Sequence, residues 1–251
     1  MLESLSIVVP AYNEAPTIEA VVREALSVGA TVAVTVEVLV CDDGSTDGTY
    51  EILQGLARSH PNVRVLHRSA NRGIEASLRA LFAEARFKYV FFTSADRQWP
   101  MTSLSPMAQV IEAGADIVVG ERRNRAEVYS PYRRIVSSVY QFSVQRLGVP
   151  VRDPGSIKLG RTECFRLPVV SRGVFSDGER LVRAARARYR LADCPVEFHP
   201  RRSGTALGAR PGLVAQAALD LLRTSASLVF GRPRPTPSEP EPGLERVGGA
   251  G

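Results

Sequence analysis

Three clusters of polar and acidic residues follow apolar runs in the first hundred residues. They are Pro10-Ala11-Tyr12-Asn13-Glu14, Asp42-Asp43-Gly44-Ser45-Thr46-Asp47-Gly48 and Ser94-Ala95-Asp96-Arg97-Gln98-Trp99-Pro100. Carboxylates that converge on one rim repel one another unless a cation or a donor-rich ligand joins them. Hard oxygen donors of this kind suit magnesium or manganese, which in turn neutralise a diphosphate. Glu14 or Asp42 can also accept hydrogen bonds from a nucleobase or a ribose hydroxyl. Taken singly, each cluster reads more readily as turn chemistry or helix capping than as a ligand site. Three of them, each at the end of an apolar run, favour a shared ligand.

The segments that must carry these clusters alternate between two periodicities. Leu5–Val9, Glu37–Cys41, Val63–Leu66, Tyr89–Thr93 and Ile117–Val119 are short, β-branched or continuously apolar runs that read as strands. Helices are expected between them, near Ile18–Leu26, Thr46–Ala57, Ile74–Ala85 and Leu104–Ala113. This alternation predicts an α/β layer with a mainly parallel sheet covered on both faces. In such sheets ligands bind beyond the carboxyl ends of the strands, which is where the three clusters fall. After Gly120 the pattern changes to an Arg-rich stretch. An amphipathic helix over Tyr132–Leu147, a basic helix over Gly178–Tyr189, a late strand over Ala192–His199 and a helix over Pro211–Phe230 follow. Residues 1–230 are expected to form one domain. Residues 231–251, with five prolines and few apolar side chains, are expected to be a disordered Pro/Gly-rich tail.

Composition narrows the function. The chain of 251 residues is 44% hydrophobic and 23% charged, with a net charge of +6, and reads as a soluble globular protein. Its two lysines follow no glycine, so a phosphate-binding loop of the Gly-Lys-Ser/Thr type is excluded, and no Gly-x-Gly-x-x-Gly appears. No apolar run reaches the length that spans a membrane, and no secretory leader is read at the start. The three cysteines are too few and scattered for a disulfide framework or a zinc cluster, and fit a reducing compartment. Cationic residues are not interleaved with aromatics, which argues against nucleic acid. The Arg-rich stretch from Arg122 and the later basic helix are either solvated faces or attractors of phosphate head groups.

The strings Ile7-Val8-Val9-Pro10-Ala11-Tyr12-Asn13-Glu14 and Val38-Leu39-Val40-Cys41-Asp42-Asp43-Gly44-Ser45-Thr46-Asp47-Gly48-Thr49 resemble the amino-terminal half of family-two inverting glycosyltransferases with the GT-A fold. The likeness is greatest to the dolichol-phosphate mannosyltransferase and polyprenyl-phosphate hexosyltransferase branch, and runs from about Leu5 to Leu207. It implies a single GT-A domain, a Rossmann-like sheet flanked by helices, with an additional carboxy-terminal helix. By position, it places Pro10, Tyr12, Glu14, Asp42 and Asp43 around the nucleoside of a sugar nucleotide. Asp96 falls on the second carboxylate of an Asp-x-Asp motif that holds metal and diphosphate, and Gln98 on a residue that also reaches the metal. Arg122, Arg133 and Ser137 fall on positions that hold a lipid acceptor's phosphate. Arg201, with Arg202 beside it, falls in a late Arg-x-x-Gly-x-Ser-Lys motif.

The implied activity is inverting transfer of a hexose, mannose or glucose, from GDP-mannose or UDP-glucose to a polyprenyl phosphate. A small hydroxylated acceptor, or a catalytically weak homologue that binds nucleotide or phosphate, are the alternatives. An anionic phosphate acceptor needs no general base, whereas a hydroxyl does. Asp177 and Glu179 are the candidate bases, and read equally as acids favoured at a helix N-terminus. Two departures stand out. Ser94 replaces the first Asp of Asp-x-Asp, so Mg2+ or Mn2+ is expected to bind weakly, and Ala206 and Leu207 replace the late Ser and Lys. A cytoplasmic location is expected, with peripheral placement at a membrane surface left open.

Overall fold

A computed structural model describes residues 1–123, 129–171, 173, 175–199, 211–230 and 243–249. In chain order the elements are β1 (Leu2–Ala11), α1 (Ile18–Val32), β2 (Ala33–Asp42), α2 (Thr49–Ser59), β3 (Val63–Arg68), α3 (Ile74–Glu84) and β4 (Tyr89–Phe92). There follow α4 (Leu104–Glu112), β5 (Ile117–Arg122), α5 (Pro131–Arg146), β6 (Lys158–Arg161), the single turn α6 (Thr162–Phe165), α7 (Ser176–Arg186), β7 (Leu191–Val196), α8 (Pro211–Phe230) and β8 (Leu244–Val247).

The strands form one sheet in the order β7-β5-β6-β4-β1-β2-β3-β8. The pairs β1–β2, β1–β4, β2–β3 and β5–β7 are parallel, whereas β6 runs antiparallel to both β4 and β5, and β8 antiparallel to β3. Alternation along the strands sorts their side chains between two layers. Ile7, Val9, Val38 and Val40 pack with Ile18 and Val22 of α1, Leu53 of α2 and Leu104 of α4. Val8, Leu39, Cys41 and Leu66 point the other way, onto Leu78, Leu81 and Phe82 of α3 and Phe165 of α6. A third cluster joins Ile117 and Val119 of β5 to Val144 of α5 and Phe175, Leu181 and Val182 around α7. Each such side chain, fully withdrawn from water, contributes about 1.5–3 kcal/mol.

The sequence-based elements fall on observed ones, with two additions and one inversion. The strand β6 was not anticipated, and β8 lies inside the segment expected to lack structure. Helix α5 forms where expected, but it turns much of its apolar stripe outward, with Ile135 65%, Val139 60% and Phe142 65% exposed.

Candidate active site

Register brings the three clusters to one edge. Ala11 at the end of β1 stands level with Asp42 at the end of β2. On the other side of β1, Val8 pairs with Phe92, and the Thr93 amide donates to the Val8 carbonyl at 3.2 Å. The stretches after β1, β2 and β4 therefore leave adjacent strands on the same rim. The first two are laced together. The Asn13 amide donates to Ser45 Oγ (2.9 Å), the Glu14 amide to Thr49 Oγ1 (2.9 Å), and the Ala15 amide to Asp47 Oδ2 (3.0 Å). In return Asn13 Oδ1 accepts from the Thr46 amide at 2.8 Å. Asn13 adopts a positive φ of 55°, a conformation Asn tolerates better than most residues. Pro10 is buried in β1, and Tyr12 stands exposed beyond it.

The two acids of Asp42-Asp43 differ in role. Asp42 is fully buried. Its Oδ2 is held by His67 Nδ1 at 2.8 Å, and its Oδ1 is buried without a hydrogen-bond partner. Asp43 anchors the next loop: it accepts from Arg68 Nη1 (3.2 Å) and from the amides of Arg72 (3.0 Å) and Gly73 (2.7 Å). Asp43 therefore holds the loop after β3 against the rim.

The third cluster is organised around Asp96, which is buried and accepts from Ser94 Oγ (2.6 Å) and the Gln98 amide (3.1 Å). Ser94, which stands at the first Asp position of Asp-x-Asp, is thus a donor to Asp96. Gln98 is tied to the segment that follows β7: its Nε2 donates to the His199 carbonyl (3.1 Å), and the His199 amide to the Gln98 carbonyl (2.8 Å). Among the described residues no group of three or more His, Cys, Asp or Glu side chains is placed to hold a metal. One carboxylate with a hydroxyl and a carboxamide nearby fits Mg2+ or Mn2+ only when phosphate oxygens of a ligand complete the shell, a common arrangement for magnesium.

A second feature lies under α5, α7 and α8. A cavity of about 410 Å³ is walled by apolar side chains, among them Leu78, Phe92, Val136, Phe175 and Leu221. Into it come Arg122, Arg133, Ser137, Tyr140 and Asp177. Arg122 is clamped by Asp153 through Nε (2.6 Å) and Nη2 (2.5 Å), with Tyr129 Oη on Nη1. The rings of Trp99, Tyr129 and Phe198 lie 5.3–5.4 Å from its guanidinium. Burial acts to lower the Arg122 pKa, but the Asp153 contacts outweigh it and raise the value. Arg133 stacks on the Tyr129 ring at 4.0 Å. Asp177 is paired with Lys158, whose ammonium is only 1% exposed, lies 2.5 Å from Asp177 Oδ2 and donates to the Ser156 carbonyl at 2.7 Å. Asp177 Oδ1 is buried without a partner. Burial, with Asp177 and Asp153 nearby, pushes the Tyr140 phenol far above its ordinary pKa, so it stays protonated.

Residues expected from sequence thus divide. Pro10, Tyr12, Glu14, Asp42, Asp43, Asp96 and Gln98 sit at the rim, and Arg122, Arg133, Ser137 and Asp177 at the cavity. Glu179 is misplaced as a base. It is fully buried, away from the cavity lining, and accepts from the Val170 amide (2.9 Å), the Ser171 amide (2.8 Å), Ser171 Oγ (2.5 Å) and Arg183 Nε (2.7 Å). Burial raises its pKa, but the Ser171 and Val170 hydrogen bonds and Arg183 outweigh this and hold it below the usual range. It is an anchor for the loop before α7. Arg201 and Arg202 lie outside the described residues. Sequence reasoning missed Lys158, Tyr140 and His67. Lys158 alone carried a signal, as one of two lysines in an Arg-rich chain.

The fold is that of GT-A enzymes. It superposes on glucosyl-3-phosphoglycerate synthase from Mycobacterium tuberculosis, solved with Mn2+, UDP-glucose and phosphoglyceric acid, with a TM-score of 0.70 at 19% identity. That match covers 88% of this chain and 79% of the other. Residues 6–159 match Glycosyl transferase family 2, and the chain belongs to that family. Among curated relatives, glycosyltransferase AglD of Haloferax volcanii is 32% identical over 78% of this chain and 33% of its own length. The undecaprenyl-phosphate 4-deoxy-4-formamido-L-arabinose transferase of Pseudomonas fluorescens (30% identical, 61% of this chain, 45% of its own) is also similar. So is the dolichol-phosphate mannosyltransferase of Pyrococcus furiosus (28%, 61% and 44%). The chain therefore spans between a third and a half of these relatives' lengths.

Proposed function

We propose that this chain transfers a hexose from a nucleoside diphosphate sugar to the phosphate of a polyprenyl lipid. The observation that carries the reading is the cavity under α5: Arg122, Arg133 and Ser137 come into a largely apolar chamber whose two acids, Glu75 and Asp177, are held by Arg180 and Lys158, a combination suited to a lipid phosphate. The rim at Asp42 would receive the nucleoside and the Asp96 loop the diphosphate. Asp96, with Ser94 and Gln98, would hold Mg2+ or Mn2+, which supplies charge stabilisation to the departing diphosphate. An acceptor phosphate oxygen forms the new bond to the anomeric carbon as the bond to the diphosphate breaks, with inversion. That oxygen is already anionic, so no proton must be removed. Asp177 need not act as a base, and Lys158 balances its charge beside the arriving phosphate.

The acceptor's location follows the same logic. No helix among the described residues is long and apolar enough to cross a membrane. Helix α5 exposes Tyr132, Ile135, Val139 and Phe142, carries Arg133, Arg134 and Arg146, and has no acidic residue. Val139 also lines the cavity, so the exposed stripe and the chamber are continuous. This supports peripheral attachment to an anionic bilayer on the cytoplasmic side, with the lipid phosphate drawn up into the cavity.

The test is transfer from labelled GDP-mannose and UDP-glucose to a polyprenyl phosphate in detergent. A lipid-linked product is expected, and Arg133→Ala should raise the KM for the lipid at least tenfold while leaving nucleotide affinity intact. A second reading, a small hydroxylated acceptor, is favoured by the unpartnered Asp177 Oδ1. Turnover with alcohols or sugars that Asp177→Asn abolishes, and none with lipid phosphate, would replace the first reading by the second.

A further inference from the structure

Asp42, His67 and Glu245 occupy one register row across β2, β3 and β8. Their side chains therefore lie on one face of the sheet, and contacts join them. Asp42 Oδ2 is held by His67 Nδ1 at 2.8 Å. The His67 ring stacks on Tyr50 of α2, with centroids 3.6 Å apart and planes 12° from parallel. Tyr50 Oη in turn donates to Glu245 Oε2 at 3.4 Å. The imidazole is thus fixed in plane by Tyr50 and in rotation by Asp42, and β8 lies along its far side.

β8 is itself built to stay. Arg246 of β8 donates to Glu84 Oε1 at 2.6 and 3.1 Å, and Glu84 pairs with Arg64, which reaches Glu37 at 3.0 Å. Gly248 follows with φ +82°, and a Cβ there would stand 2.5 Å from the Val63 carbonyl oxygen. Only one oxygen of Asp42 is satisfied; Oδ1 is buried and without a partner. A buried acceptor in that state costs free energy until a donor completes it. The ring N–H of uracil or guanine is a donor of the right kind.

We propose that His67, Tyr50 and Glu245 are positioning residues that aim Asp42 at the nucleobase, so that β8 sets the protein's discrimination for a nucleoside over a bare pyrophosphate. This rests on the reading above that Asp42 receives the nucleoside. The three residues touch no reacting atom. They act through the orientation of one carboxylate, and the diphosphate end at Asp96 is independent of them.

Calorimetry with UDP, GDP and inorganic pyrophosphate separates the possibilities. His67→Leu should weaken the preferred nucleoside diphosphate about tenfold, the loss expected for one charge-assisted hydrogen bond, while pyrophosphate affinity stays within twofold. His67→Asn, whose amide can replace the Nδ1 donor, should restore most of the affinity. Gly248→Val, which forces β8 off Val63, should weaken the nucleoside diphosphate severalfold with pyrophosphate again unchanged. If the wild-type chain prefers neither nucleoside diphosphate to pyrophosphate, the nucleoside reading of Asp42 falls and the inference with it. If it does prefer one and His67→Leu retains that preference, or His67→Asn fails to rescue it, the positioning role alone is overturned. Equal loss of pyrophosphate would show a general collapse of the rim and would likewise overturn it.

Discussion

Lys158 and Asp177 show how a single buried charge constrains the cavity. Removing one partner of a buried pair leaves the other charge unmatched, which costs more than the pair itself contributes. Lys158→Met should therefore destabilise the protein by about 3 kcal/mol in urea titration, and adding Asp177→Asn should recover much of it. Glu179 makes a pH prediction. Its folded pKa lies below the ordinary glutamate value of 4.5. It therefore contributes stability that is complete above that value and is lost as pH falls through the lowered one. Glu179→Gln should lower stability near neutrality and flatten the acid limb of a melting-temperature profile. Ser94→Asp adds a second carboxylate beside Asp96 and should tighten Mn2+ binding in the presence of a nucleoside diphosphate, read by calorimetry. At this scale the rim was legible, because polar clusters interrupt apolar runs at Pro10, Asp42 and Ser94. Glu179 was not, because a base and an anchor look alike in sequence. Arg183 is its i+4 neighbour on the expected helix, but only the fold brings Ser171 and the Val170 amide onto its carboxylate.

Elements carry the next level of control, and the turn after β2 is the clearest case. Gly44 adopts φ +75°, and a Cβ there would lie 2.7 Å from the Ala70 carbonyl carbon. The backbones of two loops pass closely at this point, just where Asp43 gathers the amides of Arg72 and Gly73. Gly44→Ala should cost about 2 kcal/mol in chemical denaturation, from an unfavourable backbone conformation and the contact together, and should weaken nucleoside diphosphate binding in parallel. The strands β1–β5 were readable because each is a β-branched or aromatic run covered on both faces. β6 was missed because Lys-Leu-Gly-Arg has two charges and a glycine in four positions. Its place comes from Tyr89–Phe92 on one side and Ile117–Val119 on the other. The periodicity of α5 was legible, but its direction was not, since an apolar stripe does not say whether protein or lipid covers it.

For the whole molecule, charge and apolar surface act together. The chain carries +6, and α5 adds an apolar stripe on a helix whose charged residues are all Arg. Co-sedimentation with vesicles containing anionic lipid should therefore exceed that with neutral vesicles and should fall as salt rises, because screening shortens the reach of the Arg side chains. Ile135→Ser with Phe142→Ser should reduce the remaining, salt-resistant binding without lowering the melting temperature, since both side chains already face water. The strand order has a further effect. The outermost strands of the sheet are β7 and β8. β7 carries Pro195, which offers no amide to a newcomer, and β8 covers what would otherwise be the open margin of β3. A molecule gathered at high local density on a bilayer is exposed to fibrillar stacking through unsealed sheet margins. Here one margin is blunted by Pro195, and the other is only the short, charged strand β8 with Glu245 and Arg246, so neither offers a long apolar edge for stacking at a crowded surface.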